Sequence, residues 1–318
     1  MDNERYELLA EVASLYYEEG LTQQEISERL QYSRPRISRL LTEAQKEGVV
    51  EIHINHPVAR DRALEIKLQE LFKLKEVRVY QGRDEPYPLT LQRVGMLAAR
   101  MVSQHLSKNI TLGISWGAAL FEMANAFRPV YYPGIRVVQM VGTVGSVDPT
   151  TDGPGLARRI ASLMGGQAYT LSAPWLIENK FVRDALLEDH RLRETLELIE
   201  QVNLAVVGIG TIEPGLSSIV RAGYITAEQA LILKDAGIVG DVCGEQFDIY
   251  GKVIEIPLTG YVFGVKVERL RQVPLVIGVA GGAEKAPAIL GGLRSGLVNA
   301  LVTDEGAALA ILGHITPE

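Results

Sequence analysis

Two sets of side chains in this 318-residue sequence have the types and spacing to hold anions. The first is rich in arginine: Arg29, Arg34, Arg36 and Arg39 fall within residues 29–39 with no Asp or Glu among them, although the whole chain has a formal net charge of -7. An acidic body excludes a protein that binds polyanions over its entire surface, and leaves one basic strip where a polyanion is not repelled. A guanidinium fork pairs bidentate with guanine O6 and N7 or with a phosphate, so the chemistry on offer is the reading of double-stranded DNA. The second set is Gly281, Gly282 and Lys285, which follow the apolar run 275–279. Backbone N–H groups left unpaired where a strand turns into a helix, joined by an ammonium, converge on one phosphate-sized anion.

Residues 22–47 place the arginines on a helix-turn-helix. Thr22 is a natural N-cap, Glu25 three residues on completes a capping box, and Ile26 and Leu30 share a face. Ser33 is expected to cap the second helix, Pro35 sits in its first turn, and Ile37, Leu40, Leu41 and Ala44 repeat at helical spacing. Arg34, Arg36, Ser38 and Arg39 face away from that stripe. With Thr22, Gln23 and Ser33 they are the expected DNA contacts, because the N-terminal turn of a recognition helix enters the major groove. Gln31 occupies the turn position that such motifs often give to Gly. Gly48 ends the helix, and residues 49–55 (VVEIHIN) alternate apolar and polar as a half-buried strand does, which predicts a winged variant. His53 and His56 have no cysteine or second ligand cluster nearby and read as solvated wing residues, so no metal site is expected.

The length leaves room for a second, larger domain, and 47% hydrophobic residues supply its core. The single cysteine, Cys243, excludes an internal disulfide; the acidic start MDNERYE is unlike a secretion signal, and no apolar run approaches the roughly 18 residues of a membrane span. A cytoplasmic protein without membrane contact is expected. The reading is therefore a winged helix-turn-helix domain over residues 1–57, a connecting helix over 58–75 and an effector and oligomerisation domain over 76–318. The connecting helix carries Leu64, Leu68, Leu71 and Phe72 as a stripe and leans toward a role in dimerisation, since helix-turn-helix readers bind paired half-sites.

Beyond residue 76, β-rich runs at 77–80, 110–114, 135–141, 168–171, 204–209, 275–279 and 300–303 alternate with helical patterns, which predicts an open α/β sheet. Several runs are almost wholly apolar, as strands covered by helices on both faces are, and ligands then bind at their carboxyl ends. Ser115 and Gly117, Gly142 and Thr143, Gly210 and Thr211, and Gly281, Gly282 and Lys285 gather at those ends. Asp241, Asp248 and Asp304 also lie near strand ends, as acceptors for sugar hydroxyls or as caps and turn residues. A dinucleotide loop is excluded because Glu213 stands at the third glycine position after Gly208 and Gly210, and a P-loop because the spacing from Gly281 to Lys285 is too short. No cofactor is expected.

Both halves together resemble the SorC family of bacterial transcriptional regulators. The resemblance rests on LTQQEISERL and SRPRISRLLTEAQKEGVV near the start, LGISWG at 112–117, GDVCGEQFDIYG at 240–251 and VIGVAGGAEKAPAILGGLRSGLVNALVTDEGAA at 276–308. It implies an effector domain similar to sugar-phosphate isomerases and a homodimer or homotetramer that binds operator DNA and a small phosphorylated sugar. It also implies that Ser115, Gly117, Gly142, Thr143, Gly281, Gly282 and Lys285 surround the phosphate or sugar, with Asp248 and Asp304 nearer hydroxyl groups. Some deoxyribose-phosphate-responsive members that this chain resembles carry a Schiff-base lysine where this chain has Val141, so a noncovalent effector is expected. The alternative is an isomerase-like enzyme with a DNA-binding head, using Asp241, Asp248 or Asp304 as base.

Overall fold

The computed structural model describes residues 3–50, 58–82, 85–145, 151–254 and 261–315, and the chain divides into two compact units, Met1–Pro57 and Val58–Glu318. In the first, helices α1 (Asn3–Tyr17), α2 (Gln23–Leu30) and α3 (Arg34–Lys46) close around one core. Ile26, Ile37, Leu40, Leu41 and Ala44 supply two walls of it, and Leu9, Val12 and Leu15 of α1 supply the third. The Thr22 capping box forms as expected: the Thr22 N–H donates to Glu25 Oε2 at 2.8 Å and the Glu25 N–H to Thr22 Oγ1 at 3.3 Å. Gln31 takes the left-handed turn conformation with φ 56°. That conformation costs a residue other than glycine about 1 kcal/mol, and a bond from Gln31 Nε2 to the Glu28 carbonyl at 3.0 Å offsets it.

One expectation changes here and another lies outside the described residues. Ser33 stands at the N-cap of α3 but its hydroxyl makes no capping bond. Pro35 has removed one donor the hydroxyl would accept, and the Arg36 N–H instead reaches the Ser33 carbonyl at 2.8 Å. The wing lies outside the described residues from residue 51 on, and His53 and His56 with it.

The second unit contains strands β1 (Glu76–Tyr80), β2 (Thr111–Ile114), β3 (Arg136–Gln139), β4 (Gln167–Tyr169), β5 (Leu176–Ile177), β6 (Leu204–Gly208), β7 (Gly210–Thr211), β8 (Ile238–Val242), β9 (Glu245–Asp248), β10 (Tyr261–Val262), β11 (Leu275–Val279) and β12 (Ala300–Asp304). Seven form one parallel sheet in the order β1-β12-β11-β6-β2-β3-β4, and these are the seven strands expected from the apolar runs. Residues alternate between its two covered faces: Leu204 and Val206 enter one apolar cluster, Ala205 and Val207 the other. From β2 the chain steps outward through β3 to β4; from β6, which pairs with β2, it steps the opposite way through β11 and β12. The β2–β6 seam is thus the topological switch point, where open α/β sheets leave a crevice beyond the strand ends.

Two small antiparallel sheets, β7-β8-β9 and β10-β5, accompany it and were not expected. Their strands are two to five residues long and carry no apolar alternation long enough to register. Cys243 (φ 54°) and Gly244 (φ 87°) form the two-residue hairpin turn between β8 and β9, a turn that demands positive φ at both positions.

The expected connector over 58–75 becomes helix α4 (Arg62–Phe72), which packs on β1 and on the helix Glu305–Gly313 within the second unit. It buries Leu64 and Leu68 but leaves Leu71 exposed. Asp61 caps it by accepting the Leu64 N–H at 3.0 Å, and Glu65, 4% exposed, takes both arms of the Arg60 fork at 2.6 Å and the Val79 N–H at 3.0 Å. Removing one partner of such a buried pair strands the other. Glu65→Ala is therefore expected to destabilise the second unit by about 3 kcal/mol, read as a lower urea midpoint, whereas Arg62→Ala on the exposed side should shift it by less than about 0.5 kcal/mol.

Candidate functional site

On the first unit, Arg34, Arg36, Ser38 and Arg39 all lie on the exposed face of α3, opposite the buried stripe of Ile37, Leu40, Leu41 and Ala44. Among the described residues none of these three arginines is ion-paired. Arg29, also counted in the basic strip, is drawn aside by Glu19 at 2.9 Å, and Glu43, the one carboxylate of α3, is neutralised by a bidentate pair with Arg5. Exposure to water keeps both pairs weak, so they shape the local charge more than they hold the fold. Arg34 also turns toward Thr22, Gln23 and Gln24, which with Tyr16 line a shallow concavity at the N-terminus of α2. Helix N-terminal amides and a guanidinium on one concave surface fit a backbone phosphate. The Arg36 guanidinium lies 3.9 Å above the centre of the Tyr32 ring.

In the second unit a cavity opens at the carboxyl ends of β2, β6 and β11, the place the switch point dictates. Ser115, Trp116 and Gly117 continue β2 into it, Gly208, Ile209 and Gly210 continue β6, and Val279 and Lys285 come from β11 and the turn beyond. Ser115 Oγ accepts the Gly208 N–H at 3.1 Å, so the hydroxyl ties the two central strand ends together. Three further segments complete the walls: Tyr87 from the first turn of α5 (Tyr87–His105), Ser218 and Arg221 from the one-turn helix Ser218–Arg221, and Asp241 and Cys243 from the β8–β9 hairpin.

Two cations, Arg221 and Lys285, and one carboxylate, Asp241, set the electrostatics of the cavity. Burial lowers the Lys285 pKa, the charge of Arg221 lowers it further, and Asp241 partly restores it. Burial pushes the Asp241 carboxyl up to about 6, against the Gly244 N–H that it accepts at 3.1 Å and the charge of Lys285. Tyr87 is raised, chiefly by burial, and stays a phenol that can donate. Burial likewise raises the Cys243 thiol, with Asp241 and Glu245 adding to it, so this cysteine is a neutral wall and not a nucleophile. A Cβ at Gly210 would lie 2.1 Å from Asp241 Oδ1, so any side chain there would push the carboxylate aside.

Comparison with known proteins decides the family. Residues 56–313 match the family model of a sugar-binding domain, and residues 12–61 match that of the MarR family. The chain is 33% identical over 308 residues to the transcriptional regulator LsrR of an Enterobacter species, covering 96% of this chain and 93% of that one. It is 29% identical over 315 residues to the deoxyribonucleoside regulator of Bacillus subtilis, covering 99% and 100%. The full-length sorbitol operon regulator SorC from Klebsiella pneumoniae superposes with a TM-score of 0.79 at 27% identity, over 98% of this chain and 99% of that one. The chain belongs to the SorC family. It is a transcriptional regulator with a DNA-binding head and a sugar-binding domain, and the relatives it matches are named as regulators.

Within this SorC-family fold the site residues expected from the sequence separate into two groups. Ser115, Gly117 and Lys285 line the cavity, and Gly281 and Gly282 form the turn that leads to Lys285. The other four lie elsewhere. Asp304 accepts the Gly282 N–H at 2.6 Å and the Ala307 N–H at 3.1 Å, so it caps the last helix and pins the glycine turn. Asp248 accepts the N–H groups of Tyr250 and Lys252, both at 2.9 Å, in a turn of its own. Gly142 and Thr143 pair through their main chains with Phe263 and Ala173, and Thr143 Oγ1 donates to the Leu171 carbonyl at 3.2 Å. Val141 is fully buried. Arg221 and Tyr87 were missed altogether; the available signal for Arg221 was its being the one arginine between Arg193 and Arg269.

The raised pKa of Asp241 has a stability consequence. The folded state holds this proton more tightly than the unfolded chain, so the stabilisation it gives is complete below about pH 4 and is lost as pH rises through about 6. Asp241→Asn, which keeps an acceptor for Gly244, is expected to stabilise the second unit near neutral pH by about 2–3 kcal/mol and to change little below about pH 4. Urea midpoints at the two pH values test this, and an equal shift at both would assign the effect to packing.

Proposed function

We propose that this chain regulates carbohydrate-metabolism genes in the cytoplasm as a homodimer or homotetramer, and that a phosphorylated sugar held noncovalently in the cavity sets its affinity for operator DNA. The observation that carries the reading is the convergence of Lys285 and Arg221, 64 residues apart in sequence, on a cavity that also presents Asp241 and Ser115. Two cations against one carboxylate leave a net positive site, which favours a phosphate over a neutral sugar. Asp241 and the hydroxyls of Ser115 and Ser218 suit the hydroxyl groups of a sugar. The match to sugar-binding domains and the names of relatives as deoxyribonucleoside and sorbitol operon regulators support the same ligand class.

The output side rests on Arg34, Arg36 and Arg39 together with Thr22, Gln23, Ser33 and Ser38. An effector acts on DNA affinity through unequal binding to two states of the oligomer. Mobility shifts on the DNA upstream of the protein's own gene, run with a panel of sugar phosphates and the matching free sugars, test both ends. Arg36→Ala is expected to weaken operator binding by about tenfold or more and to relax base preference. Lys285→Ala and Arg221→Ala are expected to leave DNA binding intact and to raise the effector concentration needed by about tenfold or more. A normal response in both cavity variants would overturn the assignment of the cavity. Borohydride treatment with the active sugar phosphate is expected to leave the protein mass unchanged; a trapped adduct would overturn the noncovalent reading.

A further inference from the structure

The one exposed arginine of α3 held by an aromatic ring is Arg36, and what holds it comes from outside the recognition helix. Tyr32 lies between Gln31, the left-handed turn residue, and Ser33, the N-cap of α3. Its ring is half-buried against the three-helix core, and its carbonyl accepts the Ser27 hydroxyl of α2, so both the ring and its backbone are fixed. One face remains open, and the Arg36 guanidinium lies on it, 3.9 Å from the ring centre. A guanidinium over an aromatic face is attracted by the ring quadrupole, and a parallel stack leaves its in-plane N–H groups available at the edge.

An apolar residue just before an N-cap commonly packs as a hydrophobic staple on the first turn of the helix. Such a staple needs only apolar volume, which leucine would supply as well. A flat ring whose face carries the guanidinium of the third helical residue is a different device. A free arginine loses much of its rotamer freedom when it docks bidentate on a base edge; one stacked on a fixed ring has lost it beforehand.

We propose that Tyr32 is a positioning residue for sequence reading, fixing the plane of Arg36 so that its fork meets a guanine edge in the major groove. This rests on the assignment of α3 as the DNA-reading helix. The ring acts on base discrimination, and the general attraction of the arginines for phosphate does not depend on it.

The test uses the full-length protein. Selection from random duplexes defines a preferred site, and fluorescence anisotropy then compares that duplex, the same duplex with single G·C to A·T changes, and random-sequence DNA. Tyr32→Leu keeps a staple and removes the ring face; Tyr32→Phe keeps both. Tyr32→Leu is expected to lose roughly three- to tenfold in affinity for the preferred duplex, the scale of one ordered cation–aromatic contact, to shrink the penalty of one G·C change, and to bind random DNA as before. Tyr32→Phe is expected to match the unmutated protein. In an Arg36→Ala background Tyr32→Leu is expected to cost nothing further. Equal losses on preferred and random DNA, or the same loss with Arg36 already absent, would overturn the proposal in favour of a staple. If Tyr32→Leu fails to fold, Arg36→Lys decides: it keeps the charge without the planar stack, and unchanged discrimination with it would also overturn the proposal. Should the unmutated protein select no sequence at all, the assignment of α3 itself would fail, which is a separate result.

Discussion

Parallel strands cannot be joined by tight turns, and in this protein that constraint sets where everything else goes. Each strand of the main sheet must be followed by a crossover, and the crossovers leave β2 in one direction and β6 in the other. At the seam between them the two connections diverge, so the backbone of residues 115–117 and 208–210 borders a crevice. The buried Ser115 hydroxyl braces that seam through the Gly208 N–H, and the β8–β9 hairpin and the Ser218–Arg221 turn close over it. The cavity is thus a product of topology first; its chemistry is added by segments inserted between the strands.

That division explains what was legible in the sequence. Strands buried on both faces are apolar along their length, and runs such as LAVVG and LVIGV announce themselves; the edge strands were found from shorter β-rich runs alternating with helical patterns. The recognition helix was legible for a similar reason: capping at Thr22 and the 37–40–41–44 stripe leave a single way to orient Arg34, Arg36 and Arg39. Side chains that close the cavity obey no such periodicity. Arg221 sits on a helix of four residues and Asp241 on a short antiparallel strand, and nothing local distinguishes them from surface residues.

Carboxylates at strand ends show the limit most clearly. Asp241, Asp248 and Asp304 look alike in sequence, each near the end of a β-rich run, and the structure gives them three occupations: a cavity wall, a turn and a helix cap. What separates them is which unpaired N–H groups lie within reach, a property of the tertiary arrangement. Asp248 has found two such groups in its own turn and Asp304 one in its own helix and one in the glycine turn, whereas Asp241 has one, from Gly244, and keeps an open side.

Asp241 also means that the cavity carries a negative group of its own beside its two cations. Under the proposed function, an incoming phosphate would not meet bare positive charge, because its gain at the Lys285 ammonium is reduced by repulsion from Asp241. A site built this way trades tightness for selectivity: inorganic phosphate, with no hydroxyl-bearing carbon chain to place against the carboxylate, feels the repulsion without the compensation, while a sugar ester can turn the same group into a hydrogen-bond acceptor. Under the proposed function, such a threshold would keep the regulator quiet in a cell full of phosphate and let it respond when a particular sugar ester accumulates.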